Sequence, residues 1–290
     1  HVSLSYCWGS TGQHIRWITT RERLPEFEKV IPHEVLPKTI ADAVKVVREI
    51  GIRYLWVDSL CIVQDDPDDW AYEAYRMAQV YNSSLFTVIS GSDSAMGGLF
   101  LPREQLKVSA ADILLQSNPE AGEHVATLYP SVQDIGTAHH GGPTTRRAWC
   151  YQEELLSPRR LYFTNRQFVW ECLCSSHDET GSRSPGDTRS TKYCPPPYDA
   201  DVLLRNTRVV GEWHSVIEEY TSRQLTYHSD VFAALAGVAA SLKARYRCKY
   251  LAGMWEDDML NGLLWQRAGT SLGRSAELNT PSWSWLSVQG

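Results

Sequence analysis

Between Leu36 and Ser90 two amphipathic helices and two short apolar strands follow one another almost without loops, and this alternation constrains the fold more than any other feature of the chain. The first helix opens at Pro37 and Thr39, with Asp42 completing a Thr-x-x-Asp capping pattern, and it stops at Gly51. Ile40, Ala43, Val44, Val47 and Ile50 fall on one face at helical spacing. Tyr54–Ile62 then reads as a strand, Pro67–Tyr81 as a second helix and Leu85–Ser90 as another strand. Strands joined through helices must run parallel, so this region predicts βαβ crossovers in an α/β fold with a mainly parallel central sheet. His1–Cys7 supplies a further strand by alternating Val2, Leu4 and Tyr6 with small residues.

The rest of the chain is less regular. An edge strand is expected near Ile15–Thr19, weak strands at 113–115 and 126–129, a short helix at 149–156, and a hairpin from Leu161–Phe163 and Phe168–Cys172. Residues 175–201 are poor in core residues and read as an exposed connection. Helices are expected near 208–222 and 229–244, followed by a Trp-rich tail. The expected organisation is therefore an α/β domain over 1–174, the connection 175–201, and a helical, Trp-rich extension over 202–290 packed on that domain. The start at His1 and the stop at Gly290 after an aromatic run suggest a truncated piece of something longer.

Composition narrows the function classes. The net charge of −6 gives no basic footprint for nucleic acid, and no apolar run is long enough to span a membrane. Seven cysteines, an odd count, without a signal peptide point to reduced thiols and a cytoplasmic location. Cys172-x-Cys174 has the wrong spacing for a zinc knuckle, so no metal and no cofactor is expected. Phosphate-binding glycine motifs and the common hydrolase motifs are missing.

Parallel sheets gather ligand groups beyond the C-terminal ends of their strands. Here those ends carry Cys7-Trp8-Gly9-Ser10, then Cys61 with Asp65-Asp66, then Ser90-Gly91-Ser92-Asp93. Asp58 stands out as an acid inside an apolar run, because an unpaired buried carboxylate is costly. It reads equally as half of an ion pair with Arg146 or Arg147 and as a catalytic group. Strand alternation places Asp58 and Cys61 on opposite faces. Cys61 reads as packing or as a nucleophile that would need a histidine such as His139 or His140. Arg147, Trp149, Gln152 and Glu153 form a second polar cluster at a helix start, suited to binding an anion and offering an acid. Glu73 on the second helix reads as a solvated residue or as one reaching the sheet top.

Three blocks then resemble the heterokaryon-incompatibility domain of filamentous fungi. They are Leu4–Gly9, Leu36–Ile40 leading into Gly51–Ile62 with Gln64–Asp66, and Arg147–Trp149 with Gln152–Glu153, Leu156–Arg159 and Trp170–Cys172. Asp69-Trp70, Glu73, Met77 and Tyr81 fit the family's helix between the second and third blocks. The resemblance implies a protein of nonself recognition and programmed cell death. Its sheet would be TIR- or Rossmann-like in outline, followed by a β-hairpin and a mixed helical C-terminal part. By analogy with TIR domains that cleave NAD, it implies a nucleotide substrate. Glu73, Asp58 and Glu153 would then be catalytic, while Arg147, Trp8, Gly9, Ser10, Gln152 and Trp149 would bind substrate. Two alternatives stay open. One is a non-enzymatic module that self-associates or binds a protein through tryptophans such as Trp255 and Trp283. The other is a small-molecule enzyme using Cys61 or Cys7 as nucleophile.

Overall fold

The computed structural model describes residues 1–9, 17–103, 111–115, 124–128, 142–172, 174–179, 181, 183–185, 206–246, 248–267 and 280–288. Its centre is a seven-stranded mixed sheet. β1 (Val2–Ser5) lies between β2 (Leu55–Trp56) and β3 (Thr87–Ser90), and β3 pairs in turn with β6 (Arg159–Phe163), all in parallel. β7 (Phe168–Cys172), β8 (Ser175–Asp178) and β9 (Arg183–Pro185) continue the sheet in antiparallel fashion. The parallel reading of 36–90 thus holds. A separate antiparallel hairpin joins β4 (Ala111–Leu115) to β5 (His124–Leu128), where the two weak strands were expected, and a two-stranded ribbon joins β10 (Tyr250–Leu251) to β11 (Met254–Trp255).

Helices cover the sheet from two sides. α1 (Lys38–Glu49) packs Ile40, Ala43 and Val47 against Val2, Leu4 and Tyr6, the bulky face of β1. On the other side α2 (Pro67–Ser83), α3 (Ala148–Leu156), α4 (Asn206–Thr221) and α5 (Ala233–Tyr246) share one core. Met77, Tyr81, Tyr151, Leu155, Trp213, Tyr220, Leu235 and Val238 meet there, so residues beyond 202 bury the same apolar surface as the strand–helix region.

The face of the sheet beneath α3 is small and hydroxylic. Ser3, Ser5 and Thr87 are fully or almost fully buried. The Thr87 and Ser157 hydroxyls lie 2.6 Å apart, and Ser157 donates to the Glu153 carbonyl at 2.6 Å. The alternation Val2-Ser3-Leu4-Ser5 therefore builds an oily face and a polar one, and the polar one makes a buried acid tolerable.

Several expectations are corrected. The strand read across 54–62 ends at Trp56, and Asp58–Cys61 forms one helical turn. The Val57 carbonyl accepts from Leu60 (3.0 Å) and Cys61 (2.8 Å), while Asp58 accepts from the Ser59 N–H (2.7 Å). Local side-chain-to-backbone bonding of this kind competes successfully with strand pairing, and it removes the reason for assigning Asp58 and Cys61 to opposite faces. Thr39 and Asp42 do not cap α1, whose N-cap is Pro37. They hold the loop after β3 instead: Thr39 accepts from Gly98 N–H (3.0 Å) and Asp42 from Leu99 N–H (2.9 Å). Trp17–Thr19 is not a strand, and Ile15 and Arg16 lie outside the described residues. The supposed connection from 175 supplies β8 and β9, with Ser175 and Ser176 buried; 186–201 lies outside the described residues.

Candidate functional site

The C-terminal ends of β1 and β2 and the start of α3 converge on one polar cluster. Arg147 is the N-cap residue of α3, in extended conformation, and the helix carries Cys150 and Glu153 back over the sheet. Its guanidinium donates to the Tyr6 carbonyl at 2.7 Å, the first residue past β1. From β2 the turn at Asp58 aims a carboxylate at the same place. Asp58 accepts from the Trp8 indole N–H at 2.9 Å, and the Tyr6 hydroxyl donates to Ser59 at 2.7 Å. Asp58, Arg147 and Trp8 are half-buried, whereas Glu153 is only 4% exposed.

Burial is the largest influence on Glu153, followed by the Asp58 charge, and together they push it up to about 7. The Ser5 and Tyr81 hydroxyls and Arg147 pull in the other direction. Asp58 is also raised by burial, against the opposing effect of Arg147 and the bonds from Trp8 and Ser59. Burial works against the Arg147 charge, but Cys150, Asp58, Glu153 and Cys7 outweigh it and hold the guanidinium protonated. Two carboxylates with one cation cannot comfortably ionise together, so at neutral pH Glu153 is divided between its protonated and ionised forms.

An open cleft of about 920 Å³ lies at the neighbouring strand ends. Ser90–Asp93 after β3, Thr144 before α3, and Thr164–Arg166 in the β6–β7 turn line it. Burial raises the Cys7 thiol. Asp93 on the cleft wall and Glu153 also push it up, while Arg147 pulls it down.

The other expected site residues are distributed as follows. Glu73 forms an ion pair with Arg76 (3.2 Å), its side chain 15% exposed, and its charge is felt at Cys61 rather than among the strongest influences on Asp58 or Glu153. Cys61 is exposed at the residue level, yet its sulfur tucks against the Val57 N–H (3.5 Å) and burial raises its thiol. Gln152 points away from the cluster: 1% exposed, it accepts the Gly237 N–H of α5 at 2.7 Å and serves packing. Trp149 donates to Asp230 (3.2 Å) and crosses Trp70 edge-on. Gly9 has φ +92°, and a Cβ there would meet Ser94 Cβ at 2.8 Å, so this loop requires glycine. Ser10, His139 and His140 lie outside the described residues.

Tyr6, Tyr81 and Ser5 were not singled out from the sequence. The aromatic residues read as core, and the serine as one of the small residues alternating with Val2, Leu4 and Tyr6. Among the described residues no group of three His, Cys, Asp or Glu side chains could hold a metal, and no helix is long and apolar enough to cross a membrane.

A family model described as "Heterokaryon incompatibility protein (HET)" matches residues 1–153. The match covers β1 to the middle of α3 and includes Asp58, Arg147 and Glu153. No curated protein and no solved structure matches the chain.

Proposed function

The chain belongs to the heterokaryon-incompatibility family, and from that premise we propose that it is an effector of fungal nonself recognition and programmed cell death, acting by hydrolysis of a nucleotide such as NAD. One observation carries the enzymatic part. Glu153, pushed up to about 7 beside Asp58 and Arg147 at the strand ends, can give or take a proton at neutral pH. In this reading the bond between nicotinamide nitrogen and ribose C1′ breaks, Asp58 steadies the developing positive charge on the ribose, and Glu153 takes a proton from the attacking water. Arg147 then orients a phosphate oxygen, and Trp8 with Gly9 contacts the substrate. The likeness to TIR domains is a fold-level analogy, and it points to Glu73 as the rival acid.

Incubating pure protein with NAD and following nicotinamide release tests the proposal. Release that falls about a hundredfold or more in Glu153→Gln but persists in Glu73→Gln supports it. Release abolished only by the Glu73 change moves the chemistry to α2. Intact NAD beside folded protein overturns the enzymatic part.

Exposed Tyr72 and Tyr75 on α2, with Trp283 at 39% exposure, favour a second reading as a partner-binding module. Trp255 does not contribute to such a surface, since it is 3% exposed and packs on Trp213. A cell-death effect that survives Glu153→Gln and is lost with Tyr72→Ala and Tyr75→Ala would select this reading. The raised thiols of Cys61 and Cys7 speak against a cysteine nucleophile at this site.

A further inference from the structure

Away from the carboxylate cluster, the turn from β7 to β8 assembles two thiols, a hydroxyl and an imidazole. Cys172 ends β7 and Cys174, exposed, lies two residues on. The Cys172 sulfur is 3.6 Å from the Ser175 hydroxyl, which in turn lies 3.0 Å from His177 Nε2. The three groups form a relay along which the thiol proton can pass through Ser175 to the imidazole. Although its limited burial raises the Cys172 thiol, bonds from the Cys174 and Ser175 backbone and the Ser175 hydroxyl, with the Arg159 charge across the strand pair, lower it on balance. In this it differs from Cys7, Cys61 and Cys150, which are all raised.

We infer that Cys172 is a peroxide-reactive thiol and that Cys174 is its resolving partner, a modification site independent of the proposed hydrolase reading. The Cys172 thiolate attacks one oxygen of hydrogen peroxide, the O–O bond breaks, and the leaving hydroxide takes the proton held on His177 as water. The product is a sulfenic acid on Cys172. The Cys174 thiol then attacks that sulfur, the S–O bond breaks, and hydroxide leaves with the Cys174 proton as a second water, giving a Cys172–Cys174 disulfide. Two thiols lose two electrons and peroxide gains them, so the step balances.

The test exposes the intact chain to limiting hydrogen peroxide, alkylates the remaining thiols and maps tryptic peptides by mass spectrometry. Both cysteines fall in the single peptide Gln167–Arg183. The expected result is an internal disulfide in that peptide before Cys61 or Cys248 reacts. Cys174→Ser should stop the reaction at a sulfenic acid trapped by dimedone, and His177→Ala should slow it several-fold. Oxidation of Cys61 or Cys248 ahead of Cys172 in the unmodified chain overturns the proposal, and that measurement needs no variant. An unchanged rate in folded His177→Ala overturns the relay.

Discussion

Trp8 donates its indole N–H to Asp58 Oδ2 at 2.9 Å and so ties the segment after β1 to the turn after β2. This bond brings two blocks of sequence, fifty residues apart, to a single carboxylate. Trp8→Phe keeps the ring but removes the donor. A hydrogen bond to a charged group contributes about 1.5–3 kcal/mol, and the loss of stability in urea unfolding should fall near the lower end because Asp58 is only half-buried. The variant should also raise Asp58 further, readable by NMR titration of its carboxyl.

Glu153 makes stability depend on pH in a defined direction. Its folded value of about 7 exceeds the unfolded 4.5, so the folded state holds a proton that the unfolded chain has already released. The contribution is full below about pH 4.5 and is lost as pH rises to about 7. Urea midpoints should therefore fall across this interval. In Glu153→Gln the slope should become shallower, with a gain of about 2 kcal/mol over the parent at about pH 8.

Arg147 offsets both carboxylates and holds the Tyr6 carbonyl at 2.7 Å. Arg147→Ala leaves the acids without their cation and should cost about 3 kcal/mol at neutral pH. The deficit should shrink at about pH 5, below the Glu153 value of about 7, where that carboxyl holds its proton instead. Unfolding curves at the two pH values give the comparison, and an equal loss at both would count against an electrostatic role.

Gly237 marks where α5 crosses α2 and α3. A Cβ there would collide with Ala78 Cβ and come within 2.8 Å of Gln152 Oε1, the atom that accepts the Gly237 N–H. Gly237→Ala should destabilise by about 2 kcal/mol despite its better helix propensity, and Ala78→Gly should restore part of the loss. Gln152→Ala should cost about 1–3 kcal/mol by orphaning a buried donor, without shifting the Glu153 titration. Thermal melts and a double-mutant cycle measure all three.

The parallel α/β plan was legible because helical and strand periodicities alternate cleanly through α1, α2 and β3. What misled was local chemistry with remote partners. Asp58 looks like a residue within a β-branched run, yet its own bond to Ser59 turns the chain into a helix. Thr39 and Asp42 have the spacing of a cap, yet they serve a loop almost sixty residues later. Ser175-Ser-His-Asp178 carries no apolar alternation, and only its pairing with Val169–Glu171 on one side and Arg183–Pro185 on the other makes it a strand. In the site, Asp58, Arg147 and Glu153 could be chosen because charges are rare in apolar surroundings. Gln152, on the same helix, could not be told apart from them, since which way α3 rotates depends on α5. Tyr6 and Tyr81 were hidden because a buried tyrosine looks like core until its hydroxyl partner is known.

The family match stops at Glu153, inside α3. β3 takes its second neighbour from β6, which pairs Thr87–Ser90 with Arg160–Phe163. A recombinant fragment cut at that boundary would keep Asp58, Arg147 and Glu153 but leave β3 as a bare apolar edge, inviting strand-to-strand aggregation. It would also strip Met77 and Tyr81 of the α4 and α5 side chains that cover them. The smallest piece able to fold by itself is thus larger than the segment that defines the family, and expression boundaries drawn from the match alone should yield insoluble material.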